Sequence, residues 1–246
     1  MGIIESEANE YGGMTMTGFF PENNPLICEA ISNLAVKIHE YKHKYGKNSI
    51  ILTGCGASDG ATVISINLAI ALACAGYKTL LIDADMRTSL KHRNRMAGKG
   101  FYDLICGNLV ANEVICQTNI AGFYFLPSSK GPIDPALLFC SGQVSGVLAQ
   151  ISGQYDFVII DCPSVTVVSD ATALFMSVDG IILVCALGRT TKKQLKDAKK
   201  AVEPYSDKYY GLVVNSVDIR QYSKLFPHYG YYRKKLGNGK DWRAGR

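Results

Sequence analysis

A chain of 246 residues, 48% of them apolar and 19% charged, is long enough to bury its own core and is neither a disordered tail nor a fibrous repeat. No apolar run reaches the length needed to cross a bilayer, and the eight cysteines show no CxxC pair, no zinc-ligand spacing and no preceding secretory signal, so reduced thiols in a cytoplasm are expected. The net charge of +5 gathers at the C-terminus, where Arg220, Lys224, Arg233, Lys234, Lys235, Lys240, Arg243 and Arg246 face one acid, Asp241; such a tail suits an acidic partner or an anionic membrane surface, and no nucleic-acid partner is expected.

Residues 1–24 are polar and rich in Gly, Pro and Asn, and read as an arm. The spacing of Ile27, Ile31, Leu34, Ile38 and Tyr41 predicts an amphipathic helix over 27–45. Strands and helices then alternate: strand 49–53, helix 60–75, strand 78–83 (KTLLID). A long mixed connection over 86–121 carries short helices at 102–106 and 112–117. Strand 122–126 (GFYFL), helix 135–152, strand 156–161 (DFVIID), helix 169–176, strand 180–185, helix 190–203 and strand 210–215 complete the series. The strands are nearly continuous Val, Ile and Leu, as required when helices cover both faces of a sheet. Alternation of this kind predicts an α/β domain over 25–218, a doubly wound, mostly parallel sheet flanked by helices. Residues 219–246 read as a basic, tyrosine-containing tail.

The stretch that organises the chain is Ile50–Val63, IILTGCGASDGATV: a buried strand, a small-residue turn, then a long helix of small and aliphatic residues. Phosphate-binding loops have this form, because backbone N–H groups and a helix N-terminus point at the anion. The P-loop pattern requires Gly-Lys-Ser/Thr, and Gly60-Ala61-Thr62 stands here without the lysine. Two later strands end in Asp83-Ala84-Asp85-Met86-Arg87 and Asp161-Cys162-Pro163, and in this architecture ligands sit at the carboxyl ends of strands. A threonine hydroxyl with one or more carboxylates is the donor set that holds Mg²⁺ across a nucleotide's phosphates, and Thr62, Asp83, Asp85 and Asp161 supply it. Plainer readings stand beside these: Thr62 as a helix cap, Asp85 and Asp161 as strand-end turns, Asn215 as a turn former, Arg87 as a salt-bridge partner.

Taken together, Asn67-Leu68-Ala69, LLIDADMR (80–87), YDFVIIDCP (155–163), VDGIILVCALGRTTKKQL (178–195) and GLVVNSVD (211–218) resemble the bacterial tyrosine kinases (BY-kinases) of the stand-alone, CpsD-like kind, within the ParA/MinD-like P-loop ATPases. The resemblance runs from about Pro25 to the C-terminus. It implies ATP or ADP with Mg²⁺ as cofactors, bound by Gly56, Ser58, Asp59, Gly60, Ala61, Thr62 and Val63, with Arg87 on a phosphate or partner and Asn215 by the adenine. It implies Thr62, Asp83 and Asp161 at Mg²⁺, and Asp83, Asp85 and Asp161 as the catalytic carboxylates, Asp83 nearest the tyrosine hydroxyl. The tail tyrosines Tyr222, Tyr229, Tyr231 and Tyr232 stand where the family autophosphorylates in trans. The implied role is control of capsular or exopolysaccharide chain length and export, at the inner face of the cell membrane. The implied partners are a membrane polysaccharide co-polymerase (a CpsC-like adaptor) and further copies or a paralogue of the chain.

The sequence departs from that family at four places. Ala61 stands where the lysine would be, six residues before Asn67. Ser58 replaces a loop glycine. Ser32 and Ala35 replace the arginines of the oligomer helix's Glu-x-x-Arg-x-x-Arg, of which Glu29 remains. The tyrosine cluster is short. Lys47 and Lys130 are cations that could in principle reach the site from other loops in place of the missing lysine. The expected outcome is a kinase-like protein with weakened or lost autokinase activity. The alternatives are an autokinase with a substitute cation and a ParA/MinD-like positioning ATPase, the latter disfavoured by Gly56 where such ATPases carry an extra lysine.

Overall fold

The computed structural model describes residues 25–87 and 99–217; the arm, residues 88–98 and the tail with Tyr222, Tyr229, Tyr231 and Tyr232 lie outside them. Helix α1 (Pro25–Tyr45) precedes β1 (Ser49–Gly54), α2 (Ala61–Cys74) and β2 (Thr79–Asp83). After residue 98 come α3 (Phe101–Ile105), α4 (Ala111–Val114), β3 (Cys116–Gln117), β4 (Phe123–Leu126), α5 (Pro135–Phe139) and α6 (Gly142–Ser152). Then follow β5 (Phe157–Cys162), α7 (Asp170–Leu174), β6 (Gly180–Ala186), α8 (Lys192–Val202) and β7 (Tyr209–Asn215).

The strands form one seven-stranded sheet in the order β3-β4-β2-β5-β1-β6-β7, parallel except for β3 against β4. Every residue of β1, β2, β5 and β6 is buried, which is why these strands read as unbroken apolar runs. Alternate side chains feed two cores. Ile50, Leu52, Leu81, Ile159 and Val184 meet Ile38 of α1 and Leu68 and Leu72 of α2 on one face. Ile51, Leu80, Ile82, Ile160 and Leu183 meet Phe101, Phe139, Leu148, Phe175 and Val202 on the other. The predicted first helix docks by Ile31 and Ile38, both buried, and by Tyr41 stacked on Tyr210 at 4.0 Å; Ile27 stays exposed.

Several element boundaries differ from expectation. The helix expected over 135–152 is two helices, because Ser141 is extended (φ −70°, ψ 143°) and breaks the turn between Phe139 and Gly142. The short helix expected to reach 117 stops at Val114. Ile115 swings to ψ 123°, and Cys116–Gln117 pair antiparallel with Phe125 and Tyr124 instead, covering the edge of β4. The helix expected over 190–203 starts at Lys192 behind a capping box of Thr191 and Gln194, and Pro204 confines its end to a 3₁₀ turn.

Candidate functional site

Strand β1 runs out of the core at Thr53, and the next residues are pinned before the loop begins. Thr53 Oγ1 donates to Pro163 O at 2.6 Å, Ser164 Oγ and the Val165 amide donate to Gly54 O, and Thr166 Oγ1 donates to Cys55 O at 2.7 Å. The loop after β1 and the segment after β5 are therefore fastened together. Beyond Cys55 the chain turns on itself: Asp59 Oδ2 accepts the Gly56 amide at 2.7 Å, Asn215 Nδ2 donates to Asp59 O at 2.9 Å, and Arg189 Nη1 donates to Ser58 O at 2.6 Å. Ser58 and Gly60 both lie in the left-handed region, at φ +61° and +91°. At Gly60 a Cβ would come within 2.2 Å of Asn215 Nδ2, so glycine is required there twice over.

Among the described residues no backbone group accepts from the amides of Ala57 to Val63, and the first helical bond is Ile64 to Gly60 O. Several consecutive unmatched N–H groups at the start of a fourteen-residue helix make an anion cradle. The N-cap of α2 makes no side-chain cap, so Thr62 is not a helix cap. Its exposed hydroxyl faces Asp161 instead, and Ser65 Oγ donates to the same carboxyl at 3.3 Å.

Across the parallel ladder Asp83 of β2 sits directly beside Asp161 of β5, both buried. Asp83 Oδ2 accepts Ser128 Oγ at 2.9 Å, and Asp83 Oδ1 accepts the Asp85 amide at 3.0 Å. Burial first, then the neighbouring charges of Asp83 and Asp85, push Asp161 from an ordinary 3.8 up to about 8, against the pull of the Thr62 and Ser65 hydroxyls. Crowded carboxyls short of positive charge beside a hydroxyl are a fitting seat for a hard divalent cation. Among the described residues no group of three or more His, Cys, Asp and Glu side chains is placed to hold a metal by itself. The buried thiols at the loop's root are chemically quiet: burial pushes Cys55 up to about 12 and raises Cys185 as well.

Other expected residues fall elsewhere. Arg87 is gripped by two carboxylates: its Nε and Nη2 donate to Asp170 at 2.8 Å each, and Nη2 also donates to Asp134 at 3.0 Å. Asp170 is fully buried, and both partners hold the guanidinium more firmly protonated. Lys47 precedes β1 and interacts with Asp179, whose carboxyl also accepts from the Ser49 amide and hydroxyl. It lies at the opposite edge of the sheet, about 20 Å from the loop along a six-residue strand, and cannot substitute for the lysine. Lys130 is exposed in the loop after β4. Ala61 is buried in the α2-side core and offers only a methyl group. Glu29 accepts a 3.5 Å contact from Asn33 within α1.

Sequence reading missed Ser65, Ser128, Ser164, Thr166, Asp170 and Arg189. Ser65 is in principle visible as the second hydroxyl of a largely apolar helix, three residues after Thr62. Arg189 is 131 residues from the carbonyl that it touches, and no local pattern announces it.

An amide cradle between the first strand and its helix, facing carboxylates on two neighbouring strands, is the arrangement of the P-loop NTPase class. A family model described as an AAA domain matches residues 56–204. The tyrosine-protein kinase CpsD of Streptococcus agalactiae is 33% identical over 195 residues, which cover 77% of this chain and 84% of that protein. Among solved structures, the kinase domain of the Escherichia coli tyrosine kinase ETK superposes with a TM-score of 0.75 at 27% identity, covering 84% of this chain and 82% of that one. The chimerical protein CapA2B2 superposes with a TM-score of 0.73 at 28% identity, covering 80% and 88%. The chain belongs to the CpsD-like bacterial tyrosine kinase (BY-kinase) family of P-loop proteins. Among the described residues no helix is long and apolar enough to cross a membrane.

Proposed function

We propose that this protein binds ATP and ADP with Mg²⁺ and regulates assembly and export of a capsular or exopolysaccharide, docked at the inner face of the cell membrane on a membrane-embedded co-polymerase, with its tyrosine autokinase chemistry slowed by Ala61. The observation that carries the reading is a loop of unmatched amides facing Thr62, Asp83 and Asp161, with the buried methyl group of Ala61 at the position the family gives to lysine.

In this reading the Ala57–Val63 amides hold the phosphate chain. Thr62 and Asp161 hold the ion, with Asp83 as the carboxylate nearest the tyrosine hydroxyl and Asp85 ordering it through its amide. A Mg²⁺ ion held by Thr62 and Asp161 would offset the negative charge of a bound nucleotide's phosphates. Asn215 fixes the loop through Nδ2 and keeps its carbonyl oxygen for the adenine amine. Loss of one preorganised charge-stabilising group costs about 10²–10³ in rate. The substrate hydroxyls are those of Tyr222, Tyr229, Tyr231 and Tyr232, presented by another copy or a paralogue.

Calorimetry with Mg-ATP on the wild type and on Ala61→Lys tests the reading. Binding by both, tighter in the lysine variant, is expected; absence of binding by both refutes the nucleotide site. Intact-mass spectrometry of protein produced with its adaptor and a competent BY-kinase is expected to show phosphate on the tail tyrosines. Tyrosines that stay unmodified under those conditions refute the substrate role.

A further inference from the structure

We infer that Arg189 supplies the cationic contact to the nucleotide's phosphates that Ala61 has removed from the loop. The inference rests on the nucleotide-binding reading above and names the residue that makes it workable without a P-loop lysine.

The electrostatics set the requirement. Asp59, Asp83, Asp85 and Asp161 surround the place where a polyphosphate would sit, and Asp59 is buried with Oδ1 unpartnered. A ligand that is itself strongly anionic meets amide dipoles but also this acidic ring. The metal offsets part of that charge, and a lysine in the loop ordinarily offsets more. Four of the described cations are committed elsewhere. Arg87 is held between Asp170 and Asp134, Lys42 bonds Asp156, Lys208 bonds Phe175 O and Met176 O, and Lys47 sits by Asp179 at the far edge.

Arg189 differs from all of these. It is the only lysine or arginine among the described residues that hydrogen-bonds the loop, through Nη1 to Ser58 O at 2.6 Å. Ser58 is the non-glycine residue held left-handed in the turn, and its carbonyl, which accepts from the guanidinium, lies within the run of unmatched amides. The loop that carries Arg189 is itself fixed: its amide donates to Ala186 O, the Leu187 amide donates to Asn215 O, and Thr190 Oγ1 accepts the Ala186 amide at 2.7 Å. Arg189 is exposed, and among the described residues one nitrogen anchors it while the remaining N–H groups of its fork stay available. A guanidinium anchored at one corner and open at the other suits bidentate recognition of phosphate. It enters from the β6–α8 loop rather than from α2, so it replaces the charge but not the position of the lysine.

The test is a double-variant cycle on Mg-ATP binding, measured by calorimetry on the full chain. Arg189→Ala is expected to weaken binding about 10- to 100-fold in the wild-type background. In the Ala61→Lys background the same change is expected to cost less than about threefold, because the lysine has taken over. A merely structural role, holding Ser58 in its turn, would cost the same in both backgrounds, and that result overturns the inference. Arg189→Lys, which keeps the charge but loses the anchored fork, is expected to recover part of the affinity; no recovery counts against a charge role. Thermal midpoints of all variants identify any misfolded one, and Arg189→Gln then replaces Arg189→Ala. Binding by Ala61→Lys but not by the wild type overturns the Arg189 assignment while sparing the nucleotide site, whereas binding by neither removes both.

Discussion

Asp161→Asn gives the sharpest prediction, because the cost of keeping this carboxyl in place depends on pH in a defined direction. In the unfolded chain Asp161 ionises at its ordinary 3.8; in the folded apo protein it does so at about 8. Between those values the folded state holds a proton that the unfolded state has released, so the apo protein loses stability as pH rises through this window. The slope is about 1.4 kcal/mol per pH unit. At pH 7 the accumulated penalty is about 4 kcal/mol, and near pH 4 it vanishes. Asparagine carries no such penalty and keeps an oxygen for the Thr62 and Ser65 hydroxyls. Apo Asp161→Asn is therefore expected to melt roughly 8–16 °C above the wild type at pH 7 and within a few degrees of it at pH 4. Differential scanning fluorimetry at half-unit steps reads this directly, and taking the difference between the two proteins cancels the titrating groups remote from Asp83, Asp85 and Asp161. Added Mg-nucleotide is expected to raise the wild-type midpoint and leave the variant's unchanged. Melting curves of wild type and variant that run parallel from pH 4 to 8 would refute the argument.

Three further outcomes follow from the geometry. Gly60→Ala forces a Cβ into a left-handed residue and against Asn215 Nδ2; a loss of about 1–3 kcal/mol in chemical denaturation and no nucleotide binding are expected. Arg87→Met leaves the fully buried Asp170 without its cation and is expected to cost about 3–5 kcal/mol, with Arg87→Met/Asp170→Asn recovering much of that in the same denaturation assay. Thr62→Val is expected to raise the Mg²⁺ concentration needed for half-maximal nucleotide binding at least ~10-fold, titrated by calorimetry, with the apo fold intact.

The sheet was legible because its four central strands are buried on both faces, and burial on both faces leaves nothing but an apolar run. The acidic pair was legible for the same reason: Asp83 and Asp161 end such runs, and the parallel register brings ends together. What escaped the sequence depends on residues far apart in the chain. Asp170 follows Ser169 at a helix start and looks like ordinary first-turn chemistry; only the tertiary fold makes it the buried anchor of Arg87. Lys47 is attractive as a nearby cation until the direction of β1 puts it at the wrong end. The break at Ser141 and the switch from helix to strand at Cys116 were hidden because the apolar residues on either side suit both states.

The two borders of the sheet are unequal. On one side β3 contributes only Cys116 and Gln117, so a newcomer finds little backbone to zip onto. On the other side β7 runs for seven residues, pairs among the described residues with β6 alone, and carries Leu212 and Val214 exposed. Growth of the sheet is thus one-sided. Any strand recruited to β7, from this chain or another, would lie alongside Asn215, whose amide steadies the phosphate loop, so assembly at this border and occupancy of the pocket would share a single residue.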